Sequence, residues 1–247
     1  MDVTPGNPVR AARRRGPLFA LTVCAVLAVG GCSDGSPAPD GGPQADPSAP
    51  AQGGGTPGAA GGQTPDRGWQ AEAQDAVNVV DGFWRAHWNE HFSGAYNSPT
   101  VRGAYTPGTA EAPTCAGQPA VAFNAFYCRP QDFVAWDAEL MSSGYQQGDA
   151  WVYLVIAHEW AHAVQGRVQG LSDVAAELQA DCLAGATLYG SDDLRFEDGD
   201  SQELGQALTD LADDTPWTNS RDHGNADQRI KAFNSGGSGG VSACLPR

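Results

Sequence analysis

Residues 148–170 read GDAWVYLVIAHEWAHAVQGRVQG. The run from Trp151 to Ala157 carries no charge, and an apolar pair, Ala163 and Val164, follows the last histidine. Such a segment predicts a helix buried on every side that stops near Gly166 or Gly170. Polar groups on a buried helix need partners, and His158, Glu159 and His162 are the polar groups here. Four residues apart, His158 and His162 lie one turn above each other on the same face. Their ring nitrogens can therefore converge on one Zn²⁺ at about 2.0–2.1 Å. Glu159 is offset by about 100° from His158, so its carboxylate reaches beside the metal rather than binding it, where a general base for a water molecule belongs.

A second stretch competes for the same reading. HWNEH, residues 87–91, fits the mirror-image pattern H-x-x-E-H, and four of the five histidines of the chain sit in these two stretches. Around His87 and His91 the segment is interrupted by Arg85, Asn89 and Glu90. It reads as an amphipathic helix from Trp69 whose histidines pack among tryptophans, not as the metal site.

Two ligands leave a catalytic zinc incomplete, because such sites take three protein ligands. The metzincin extension needs a glycine and a histidine where this chain has Gln165 and Val168, which excludes that class. Fifteen residues beyond His162 stands Glu177, in ELQAD on the next apolar helix, for which Ser172 is the expected N-cap. If the two helices pack antiparallel about a turn at Gly170, Glu177 completes a His, His, Glu set. Asp181, one turn further on, shares that face and is placed to fix the tautomer of a ligating imidazole.

Outward from this pair of helices, AVAFNAFYCRPQDFVAWD (120–137) suggests two short strands broken at RPQD, and SGAYNSPTVRGAYTPG (93–108) reads as turns. Two further helices are expected around SQELGQALTDLA and ADQRIKAFNSG. The folded part is expected to span residues 67–247, an α+β, mainly helical domain with a small β-region. All seven tryptophans lie in it.

The N-terminus has a different character. Arg10, Arg13, Arg14 and Arg15 precede an apolar run of about a dozen residues, too short for the ~20 that span a bilayer, and residues 1–31 read as a secretory signal. VGGC at 29–32 resembles the bacterial lipobox, which implies cleavage before Cys32 and its lipidation. Residues 32–66 are rich in Gly, Pro and Ala and hold no aromatic residue, so they read as a disordered tether with a reach of roughly 30 Å. The expected location is extracytoplasmic, with the chain held at the cell membrane by its lipid.

The chain carries 14 basic and 29 acidic residues, a net charge of −15. Removing the signal takes away four arginines and Asp2, leaving 10 minus 28, or −18. Nucleic acid and anionic lipid surfaces are therefore poor candidate partners, and no nucleic acid is expected. Four cysteines remain after Cys24 and Cys32, and of three possible pairings Cys115 with Cys128 and Cys182 with Cys244 is favoured. The absence of any C-x-x-C pair argues against a cysteine zinc cluster.

HEWAHAVQG (158–166), ELQADCLAG (177–185) and HGNADQRIKAF (223–233), preceded by AFYCRPQD (125–132), together resemble a bacterial family of neutral zinc metallopeptidases. The resemblance covers Arg67 to near Cys244. It implies a zincin-like, gluzincin-type peptidase with one zinc per domain on His158, His162 and Glu177, and with Glu159 as base. It also supports export and the cysteine pairs. In related zinc peptidases with an E-x-x-x-D helix, a late histidine and arginine stabilise the developing oxyanion. By that analogy His223 and Arg229 are the candidates, with a plain helix-capping role for His223 as the alternative. The expected substrate is a protein or peptide, with strand pairing to it offered by AFYC. The alternative function is a non-catalytic envelope module that uses zinc as a clamp and binds protein partners.

Overall fold

Helix α3 (Ala150–Arg167) is buried along nearly its whole length, and helices and strands from both sides of it in the chain pack to cover it. The structure is a computed structural model and describes residues 68–168, 171, 176–213 and 223–246. The signal region 1–31, the segment 32–66 with Cys32, the turn at Gly170 and the Ser172 cap lie outside the described residues. All described residues belong to one compact unit, Gly61–Arg247.

The fold is mixed α+β and mainly helical. Helix α1 (Trp69–His91) buries Ala73, Ala76, Val80, Phe83, Trp84 and Trp88, a stripe at three- and four-residue spacing, against α3. The strands are β1 (Thr100–Tyr105), the short pair β2 (Thr114–Cys115) and β3 (Gln118–Pro119), β4 (Ala125–Cys128) and β5 (Phe133–Asp137). A three-stranded sheet runs in the order β1-β5-β4, with β5 parallel to β1 and antiparallel to β4. Buried at all five positions, β5 is the central strand, which leaves β4 at an edge. The ladder with β1 skips at Val101/Gly103, and Gly103 adopts φ 76°, a left-handed value that suits the bulge.

One expectation needs correction here, and one element goes beyond the expectations. Residues 100–105, taken as turn-forming, make β1, and residues 138–145 make a helix, α2 (Ala138–Tyr145), which the sequence did not announce. The carboxylate of Asp137 caps α2 by accepting from the backbone of Glu139, so the helix starts directly out of β5.

Helices α4 (Ala176–Gly190), α5 (Asp200–Asp210) and α6 (Ala226–Gly239) close the core. A reciprocal box of Asn225 and Gln228 starts α6. Where α4 and α6 cross, Gly236 meets the backbone of Cys182, and a Cβ on that glycine would lie 1.8 Å from the Cys182 carbonyl oxygen. Disulfides join Cys115 to Cys128 and Cys182 to Cys244. The first ties the β2–β3 hairpin to β4, and the second ties a 3-10 turn (Val241–Cys244) to α4.

Candidate metal centre

Helix α3 carries His158 and His162 towards the first turn of α4, where Glu177 waits. The Nε2 atoms of the two histidines are 3.2 Å apart. Glu177 Oε2 stands 3.1 Å from the first and 3.2 Å from the second. Ligand atoms at the corners of a tetrahedron around a zinc with bonds of about 2.0–2.1 Å would stand about 3.3 Å apart, so this triangle fits one face of such a site.

Proton bookkeeping strengthens the fit. Nδ1 of His158 lies 2.9 Å from Asp181 Oδ1, and an ionised carboxylate only accepts, so Nδ1 donates. Gln165 donates through Nε2 to the carbonyl of Ala176 and to Gln179, which turns its Oε1 towards Nδ1 of His162 at 2.8 Å. Nδ1 of His162 therefore donates as well. Two neutral rings held this way aim bare Nε2 lone pairs at a carboxylate oxygen. Three acceptors converge with no donor among them, and a cation resolves that arrangement.

The same carboxylates set the proton affinity of the rings. Burial pulls the His158 imidazole down, but Asp181 and Glu177 outweigh it and hold its pKa up at about 10. His162 is raised too, burial opposing and Glu177 prevailing. Burial pushes Glu177 up, yet the two histidines carry it well below the usual carboxylate range. Asp181 is likewise depressed, because Arg229 and His158 overcome the cost of its burial.

Glu177 and Asp181 are four apart on α4, so one face of that helix engages both nitrogens of His158. Behind Asp181 stands Arg229 of α6, at 2.9 Å through Nε and 2.7 Å through Nη2. Its Nη1 donates to the carbonyl of Leu211 at 2.6 Å. The guanidinium is 3 % exposed. The expectation was that Arg229 faces an oxyanion; its fork is instead committed to Asp181, which in turn accepts from His158.

His223 does reach the centre, with Nε2 3.5 Å from Glu177 Oε2. Asp213 holds it there by accepting from the backbone N–H groups of His223 and Gly224, at 3.2 and 2.7 Å. His158, Glu177 and His223 each offer a ligand atom within 4.8 Å of the others. Glu159 is buried on α3, next to His158. It lines a cleft of about 380 Å³ together with His162, Glu177, His223 and the edge strand residues Ala125 and Tyr127. That volume falls within the ordinary range for ligand sites.

The rival pair stands elsewhere. His87 Nδ1 pairs with Glu90 at 3.0 Å and its ring lies 4.8 Å from that of Phe83, while His91 packs near Phe92. Among the described residues, no group able to hold a metal includes either one. Two contributors escaped the sequence reading. Gln165 sits three residues after His162 on the same helix, a spacing that could have flagged it. Asp213 acts on a residue ten positions further along and has no comparable local signature.

No family model matches the chain, and neither a curated protein nor a solved structure matches it.

Proposed function

We propose that the chain is a zinc-dependent peptidase that hydrolyses peptide bonds of protein or peptide substrates, built on a zincin-like arrangement. The observation that carries this reading is the convergence of His158 Nε2, His162 Nε2 and Glu177 Oε2 at 3.1–3.2 Å, in a cleft that Glu159 also lines. His158, His162 and Glu177 would hold the metal. When bound, zinc supplies Lewis acidity and acidifies water. Glu159 takes the proton of the attacking water and returns it to the leaving amine. His223 stands where it can donate to the oxyanion. Strand β4 lies at the sheet edge and lines the same cleft, so an extended peptide can pair with it there.

Export and lipid anchoring through Cys32 belong to the same proposal. Two disulfides suit an oxidising compartment, and among the described residues no helix is long and apolar enough to cross a membrane.

The test is Glu159→Gln, which keeps size and polarity while removing the proton acceptor. Zinc content should stay near one per chain while hydrolysis of a mixed peptide library falls about a hundredfold or more. Equal cleavage by both proteins would refute the assignment. One observation favours a non-catalytic zinc clamp instead, namely the nearness of His223, which could serve as a fourth protein ligand. His223→Ala separates the two: the peptidase keeps its zinc and loses rate, whereas the clamp loses zinc.

A further inference from the structure

Beside the metal cleft lies a second hollow of about 240 Å³, lined by Phe123, Leu140, Ser143, Trp151 and Leu211 with Gly144 in its wall. A narrow space of about 90 Å³ joins it to the centre, since this space touches His158, Glu159 and His223 and also Phe123, Leu140 and Leu211. The two hollows thus share three apolar residues.

The fold holds the hollow open by specific means. Phe123 is 50 % exposed and adopts φ 51°, a conformation disfavoured for a bulky residue. Its backbone N–H donates to Asp137 Oδ2, while Asp137 Oδ1 accepts from Glu139 and caps α2. One carboxylate therefore holds both the backbone of Phe123 and the start of the helix that supplies Leu140 and Ser143. At Gly144 a Cβ would stand 1.9 Å from the Trp151 indole nitrogen, so only glycine lets the indole come this close to α2. Strained backbone of this kind is retained where the surroundings over-determine it, and such places cluster at ligand sites.

We propose that this hollow receives one bulky apolar side chain, aromatic or leucine-like, from a substrate residue flanking the scissile bond. The inference rests on the peptidase reading of the metal centre. Its occupant follows from continuity with that centre, from the apolar lining and from a volume suited to a single side chain. Asp210 on the lining, in a chain of net charge −15, disfavours acidic residues.

The test uses the zinc-loaded chain and peptide pairs that differ only in Phe against Ala at each position around the cleaved bond. At one position Phe should raise kcat/KM at least about tenfold. Ser143→Trp, a change at an exposed site on α2, should lose most of that preference at unchanged zinc content. A preference for Arg, Lys or small residues at every position, or an undiminished Phe preference in Ser143→Trp, would overturn the proposal. A readout free of catalysis accompanies it: the NMR methyl shifts of Leu140 and Leu211 on adding N-acetyl-phenylalaninamide or N-acetyl-alaninamide. If no peptide is cut yet the phenylalanine compound alone moves these methyls, the peptidase reading fails and the apolar site stands. If peptides are cut without regard to Phe, the site fails and the peptidase reading stands. If nothing is cut and neither compound moves the methyls, both are wrong.

Discussion

Arg229 grips both carboxylate oxygens of Asp181, and Asp181 in turn accepts from Nδ1 of His158. A chain of charge-assisted hydrogen bonds thus runs from α6 through α4 to a candidate metal ligand on α3. Asp181 is fully buried, so its charge depends on these two partners.

Arg229→Met should leave that carboxylate without its main cationic partner. Breaking a buried pair from one side costs about 3–5 kcal/mol, and loss of support behind a ligating imidazole weakens metal binding about 10–100-fold. Urea unfolding and zinc competition against a chelating dye measure the two effects. Asp181→Asn added to Arg229→Met should recover much of the stability, because no uncompensated charge then remains.

Gly236 sets how closely α6 approaches α4. With a Cβ that would meet the Cys182 carbonyl at 1.8 Å, Gly236→Ala must push the helices apart. Overpacking of this kind costs about 1–3 kcal/mol. Because Asp181 is next to Cys182 and Arg229 lies on α6, zinc affinity should fall together with stability. Loss of stability at unchanged affinity would show that helix spacing and the metal centre are uncoupled.

The pH dependence of stability should differ in sign between the metal-free and zinc-loaded protein. Without metal, His158 has a folded pKa of about 10, raised above its ordinary value of 6.5: burial lowers it, but Asp181 and Glu177 raise it more. A raised histidine contributes stability fully present below about pH 6.5 and lost as pH climbs towards 10. Zinc requires the deprotonated rings, so its contribution grows over the same range. The gap in Tm between zinc-loaded and chelator-treated protein should therefore widen from pH 6.5 to 9. Parallel curves would mean that His158 is not the group shared by proton and metal.

Replacing both His87 and His91 by Ala should leave about one zinc per chain, since neither ring belongs to a group able to hold a metal among the described residues. His158→Ala and Glu177→Ala each remove a direct ligand and should empty the site on dialysis. Metal analysis of the three proteins decides; zinc lost with the first and kept with the second would move the site to HWNEH.

What was legible in the sequence was what helix periodicity encodes. The four-residue spacing of His158 and His162, and of Glu177 and Asp181, puts each pair on one face in any helix, and an uncharged run around the first pair requires burial. The short loop between Cys115 and Cys128 made that pairing readable, and the strands at AFYC and FVAWD followed from their residues. Tertiary structure decided the rest, because it depends on partners distant in the chain. Strand β1 exists through a parallel ladder to β5, and residues 100–105 hold a glycine and an arginine that give no strand pattern alone. Arg229 meets Asp181 across 48 residues, through a helix crossing that glycine permits, so no local spacing could direct it away from the oxyanion. Phe123 acquires its place from Asp137, fourteen residues on, by a hydrogen bond that only the folded sheet brings within reach.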